Sequence, residues 1–218
     1  DTSYNLYLRY FMKAKIIVEA KHALKNNPDK LNNGFDKGVD FHFANKLFLD
    51  KLKSLRAELK LDYNMHKVKA LSNIVISLIT LRNACRISET VEATFKFLKN
   101  KSLKVVIVPI AKRKDGATRE IYLPKEITKD TLEYIEKVIA GHDPLKLQSK
   151  IRTYLTDTYG FNNHSLRYAA INYLILEKNV PLPIVSKTVG HKSMNMLITY
   201  TQNKNVSALL QTLSDGKF

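Results

Sequence analysis

Residues 164–201 read HSLRYAAINYLILEKNVPLPIVSKTVGHKSMNMLITYT. His164 and Arg167 open this stretch three residues apart, and on a helix that spacing sets both side chains on one face. The apolar run behind them predicts a helix over 163–178, ended near Pro181, and a short one over 182–189 closed by Gly190. His191 follows that glycine directly, and a segment from Ser193 leads to Tyr200, nine residues beyond His191. An HxxR pair alone is common in basic proteins and fits a surface pair. Four residue types in this order, at these distances and in this succession of helices, carry far more information.

The chemistry these residue types suit is that of a phosphate. An arginine's planar, permanently charged fork can donate two parallel hydrogen bonds to phosphate oxygens, which a lysine cannot do. A tyrosine ordinarily titrates near pH ~10, so as a nucleophile it needs neighbouring cations or a base to take its proton. Upstream, a helix predicted over 66–84, with Val68, Leu71, Val75, Leu78 and Ile79 on one face, runs directly into Arg86-Ile87-Ser88-Glu89. Arg82 lies one turn earlier and competes with Arg86 for the same role.

Between the two stretches, Leu103 to Ile110 and Thr118 to Leu123 are β-prone runs. Lys112-Arg113-Lys114-Asp115-Gly116 separates them, and its Asp-Gly pair signals a hairpin turn with a basic tip. Further helices are predicted over 42–60, over 128–140 closed by Gly141, and over 145–158 closed by Gly160. The main domain is expected from about Val39 onward. Ahead of it, residues 4–25 show helical spacing of Leu6, Tyr10, Ile17 and Leu24, and Asn26 to Gly38 reads as a linker. At the other end, 205–213 sets Val206, Leu209, Leu210 and Leu213 on one stripe. The expected fold is α+β and mainly helical, with a small antiparallel β-sheet.

Thirty-six Lys and Arg against twenty Asp and Glu leave a formal charge of +16, which favours a polyanionic partner. Eight of the basic residues fall between Lys96 and Arg119, with Asp115 the single acid among them. Lys96, Lys99, Lys101, Arg113, Lys114 and Arg119 are therefore the candidate phosphate contacts, a solvated basic face being the alternative. Cys85 is the one cysteine, which excludes an internal disulfide and a multi-cysteine zinc site and fits a reducing, intracellular setting. No apolar run reaches the ~18–20 residues that span a bilayer, and no membrane role is expected. The opening on Asp1 reads as a piece of a longer protein. His22, His42, His66 and His142 lack metal-ligand spacing, and there is no Gly-x-x-x-x-Gly-Lys loop, so no metal and no cofactor is expected.

In its ordered set of Arg86-x-x-Glu89, a hairpin lysine, His164-x-x-Arg167, Gly190-His191 and Tyr200, the chain resembles the tyrosine recombinases of the phage-integrase type. The resemblance covers about Val39 to Tyr200. It implies a catalytic domain over 39–218 ending in an exchange helix, with 1–38 as the last helix and linker of an N-terminal DNA-clamping domain. It further implies Arg86, Lys112, His164, Arg167, His191 and Tyr200 as catalytic residues. Arg86 is preferred over Arg82 because Glu89 follows at the family's spacing, the acid buttressing the site. Lys112 or Lys114 would reach the leaving 5′ oxygen, Lys112 being the better match.

Double-stranded DNA is the implied partner, with a homo-oligomer, a tetramer, assembling on it in the cytoplasm or nucleoid. The terminal helix would dock on a neighbouring protomer or fold back on its own core. Ala84, where glycine is common, and Ser165, where an acid is common, mark a divergent member, of archaeal or mobile-element kind. A type IB topoisomerase shares the groups but usually carries lysine in place of the HxxR histidine. A catalytically dead DNA-binding accessory would not need the complete set.

Overall fold

A computed structural model describes residues 39–191 and Leu197. Helix α1, Phe41–Leu61, starts at Asp40, whose Oδ1 accepts the Phe43 N–H at 2.7 Å, and buries Ala44, Phe48, Leu52, Leu55 and Leu59 at helical spacing. Helix α2, Met65–Asn83, is capped by Asn64 and is the core of the domain. All five residues of its expected stripe are buried, and from Ile74 to Leu81 so is every other side chain. Such all-round burial needs neighbours on every side, and α2 packs against α1 and the five elements introduced below that surround it.

Helix α3, Ile87–Lys99, has no counterpart among the elements expected from the sequence, where Arg86 leads straight to the strands. Its signal lies in Glu89, whose carboxylate reaches back to accept the Arg86 N–H at 3.1 Å, as an acid at the third helical position does. Strands β1, Val105–Pro109, and β2, Thr118–Tyr122, then pair antiparallel, with Val106 opposite Ile121 and Val108 opposite Arg119. Val106, Val108 and Ile121 face the core, while Val105, Ile107 and Tyr122 are exposed.

Three helices follow: α4, Lys129–Ile139; α5, Pro144–Tyr159; and α6, Asn163–Asn172. Pro144 at the first position and Gly160 in a left-handed conformation punctuate α5. The helix expected over 163–178 stops at Asn172 and continues as a π turn over Tyr173–Glu177, where Tyr173 stacks on Phe41 with ring centroids 4.1 Å apart. Helix α7, Leu182–Val189, ends on Gly190. Most buried residues form one cluster around α2; Ala84, Ala170, Ile171, Val185, Val189 and Leu197 form a second where α6 and α7 meet the end of α2. The architecture is thus the mainly helical one expected, with a two-stranded antiparallel sheet. Among the described residues, no single helix is long and apolar enough to cross a membrane. Tyr200, the segment 1–38 and the terminal stripe over 205–213 lie outside the described residues.

Candidate phosphoryl-transfer site

The site is built on the turn Ala84–Arg86 between α2 and α3. Ala84 has φ 49° and ψ 39°, the left-handed conformation in which glycine is unstrained, so an alanine there costs about 1 kcal/mol. Two guanidinium groups compensate by gripping its carbonyl. Arg167 donates from Nη1 to Ala84 O and from Nη2 to Val189 O at 2.8 Å, and Arg119 Nη1 lies 3.5 Å from Ala84 O. Arg167 is 1% exposed and bridges the α2–α3 turn to the end of α7. Its neighbour across the turn, Cys85, is buried too; burial pushes the thiol up to about 11, Glu89 adds to the rise, and Arg119 and Arg167 oppose it. It stays protonated at neutral pH.

Glu89 is 1% exposed and is the anionic hub of the turn. It accepts from Arg86 Nη1 at 3.1 Å, from Arg119 Nη1 at 3.3 Å and from the Ala111 N–H at 3.0 Å. The last bond fastens the base of the hairpin to α3, one residue before Lys112. Arg82 is engaged elsewhere, by both oxygens of Glu126 and by Asn45 Oδ1. The structure thus sets Arg86, and not Arg82, beside Glu89.

His164 and Arg167 enter from α6. Asn162 caps that helix, its Oδ1 accepting the His164 and Ser165 N–H groups at 2.7 and 3.2 Å, and Ser165 Oγ accepts the Asn162 N–H in return. Ser165 therefore fills the capping position for which an acid would serve, which accounts for that departure. The His164 ring is exposed and stands edge-on against Tyr168. On the opposite wall, Gly190 (φ 71°) closes α7, and a Cβ there would sit 2.8 Å from Ile110 Cγ2. The glycine lets the Gly190–His191 corner abut the end of β1. His191 is buried, and its backbone N–H donates to Ser186 O.

Four of these groups act on His191. Burial, followed by the charges of Arg167, Arg86, His164 and Arg119, pushes its imidazole down from 6.5 to about 4. It is neutral at pH 7. In the unfolded chain the ring takes a proton below about 6.5, in the fold only near 4, so between these values the unfolded chain holds more protons. Stability should accordingly fall as pH drops from 6.5 to 4, by about 3 kcal/mol at most from this residue. Thermal unfolding of wild type and His191→Asn across that range checks this: the variant should lose less stability on acidification, and parallel curves would contradict the assignment.

The basic segment divides into exposed and engaged cations. Lys99, Lys112 and Lys114 are exposed. Lys96 is paired with Glu92 and the Ile107 carbonyl, Lys101 with Glu136, and Arg113 with both oxygens of Asp115. Arg119 differs from the others in facing inward, 7% exposed, a position that the alternation along β2 from the buried Ile121 could have indicated.

No family model matches the chain. It is 31% identical over 210 residues to an uncharacterised protein of Methanocaldococcus jannaschii, the match covering 85% of this chain and 92% of that protein. Two viral proteins bearing integrase names are also 31% identical. For ORF241 of the Acidianus two-tailed virus the match spans 186 residues, 85% of this chain and 71% of ORF241; for V10 of the Sputnik virophage it spans 205 residues, 78% and 86%. Among solved structures, a XerA recombinase aligns at 14% identity with a TM-score of 0.42, covering 78% of this chain and 64% of that one. With two integrase-named relatives matched over most of their length, the chain belongs to the tyrosine-recombinase-like integrases.

Proposed function

We propose that the chain is a site-specific DNA recombinase that cuts and rejoins strands through a 3′-phosphotyrosine link on Tyr200. The observation that carries this reading is the turn Ala84–Arg86, where Arg167 grips the Ala84 carbonyl and the buried Glu89 holds Arg86, with the charges of both arginines and of His164 bearing on His191. Arg86 and Arg167 offset charge on the non-bridging oxygens of the scissile phosphate as it builds up. Neutral His191 donates a hydrogen bond to the same group. The Tyr200 oxygen bonds to phosphorus, its proton passing to His164, while the bond from phosphorus to the 5′ oxygen breaks and that oxygen takes a proton from Lys112. The freed 5′ hydroxyl of a second strand reverses these steps and releases the tyrosine. The exposed lysines meet the DNA backbone, and copies of the chain assemble on DNA as a tetramer coupled through residues 205–218.

Two facts favour Lys112 over Lys114 as the acid. Lys112 directly follows Ala111, which Glu89 ties to the site, and it stands at φ 69°, left-handed for a residue with a side chain. A turn that needed only its shape would be relaxed by about 1 kcal/mol with glycine there. Lys112→Gly should therefore fold at least as well as wild type yet cleave far more slowly. A DNA substrate with a 5′ sulfur leaving group, which needs no proton, should restore its rate. Rescue of a Lys114 variant instead would transfer the role to Lys114.

The overall test is incubation with a panel of nicked mobile-element attachment sites, scored for a covalent protein–DNA band and for strand exchange. Both are expected. Supercoil relaxation without exchange would point to a topoisomerase, and binding without a band to an accessory protein.

A further inference from the structure

We propose that Arg119 is a positioning residue for strand cleavage, holding Glu89 and the Asn83 and Ala84 carbonyls so that Arg86 can turn toward a phosphate. The proposal rests on the recombinase reading and gives a task to a residue outside the expected catalytic set. Arg119 projects from the core side of β2, and its two terminal nitrogens face protein acceptors: Glu89 Oε2 and Ala84 O through Nη1 and Asn83 O through Nη2. With 7% exposure it has no surface to offer a DNA backbone.

The reason for two arginines at Glu89 is electrostatic. A buried carboxylate left without a cation is strongly unfavourable. If Arg86 were the only partner, each swing of its guanidinium toward a phosphate would orphan Glu89. With Arg119 fixed behind it, the carboxylate stays compensated while Arg86, itself at the solvent edge with a side chain 20% exposed, is able to move. Arg119 also shares the Ala84 carbonyl with Arg167, so one turn carries the placement of all three arginines. Arg86 closes that turn two residues after Ala84, and a change in the turn displaces it.

The test uses the full chain as wild type, Arg119→Met, Arg119→Lys and the double variant Arg119→Met/Glu89→Gln. Single-turnover covalent attachment to nicked DNA and DNA affinity are measured side by side. Arg119→Met should slow attachment about 100-fold with affinity nearly unchanged. Arg119→Lys, which keeps the charge but cannot span the acceptors, should fall between. Adding Glu89→Gln should recover about tenfold, because an amide needs no cation. Equal losses of rate and affinity, with the salt dependence reduced by about one phosphate contact, would make Arg119 an ordinary DNA contact and overturn the proposal. So would a double variant no faster than Arg119→Met. Should Arg119→Met not fold, Arg119→Lys decides alone: slower attachment at unchanged affinity supports the role, and the wild-type rate overturns it. No adduct from wild type removes the recombinase reading and this proposal together, whereas a normal adduct with unimpaired variants removes the proposal only.

Discussion

Tyr200→Phe should abolish covalent attachment to DNA while leaving DNA affinity within about twofold, because the change deletes one hydroxyl and no charge. The expected loss is the full rate of the reaction, since a phenyl ring has no atom to bond to phosphorus. Affinity is spared because binding of a polyanion rests on the +16 excess and on exposed lysines such as Lys99 and Lys114. Gel separation of adduct from substrate and fluorescence anisotropy on the same DNA provide the two readouts. A variant that lost binding and attachment together would assign Tyr200 to the fold or to the interface.

Arg167 carries the second large effect, and it acts on two levels. Arg167→Ala deletes a buried guanidinium, strands the Val189 carbonyl and leaves the Ala84 carbonyl with the 3.5 Å contact to Arg119, at about 1–3 kcal/mol for a buried acceptor left unmade. A stability loss of about 3 kcal/mol or more is expected, visible as a lowered thermal midpoint. Cleavage should fall at least about 100-fold beyond what the unfolded fraction explains, because fixed positive charge is lost from a buried site. Arg167→Lys separates the two: it retains charge but cannot bridge both carbonyls. It should keep more stability than Arg167→Ala while still cleaving poorly. If Arg167→Lys cleaves like wild type, the fork geometry is not what matters.

Much of the fold is legible in the sequence, and particular residues show why. The long helices declare themselves through their caps and periodicity, as Asp40, Asn64 and Gly160 do at their ends. The hairpin follows from two β-prone runs around Asp115-Gly116. The glycine of Gly190-His191 reads as a helix stop, and the structure adds a second reason for it in the contact with Ile110. Helix α3 escapes such a reading because it starts on an arginine held by Glu89 rather than on a small capping residue. The π turn after Asn172 escapes it as well, since the stack of Tyr173 on Phe41 is a tertiary contact between residues far apart in the chain.

At the site, residue types and their order along the chain single out Arg86, His164, Arg167 and His191, and the fold gathers these four around one turn. Charge density cannot indicate which basic residues face outward. Arg119 counts as one of eight in a basic run, yet a strand's alternation turns it inward to Glu89, while Lys112 and Lys114 stay exposed at the tip. Pairing is equally invisible to composition: Lys101 finds Glu136 only because α4 packs alongside. Composition therefore reports the sign of the partner, and packing sorts the individual cations.

The most direct test of the central claim is to trap the protein on nicked DNA, digest the covalent complex with trypsin and nuclease, and sequence the nucleotide-bearing peptide by mass spectrometry. Cleavage after Lys192 and Lys204 yields the peptide 193–204, SMNMLITYTQNK, in which Tyr200 is the one tyrosine. The account predicts a 3′-nucleotide on that tyrosine through a phosphodiester. A nucleotide on any other residue, or on Tyr200 through a 5′-phosphate, would contradict it.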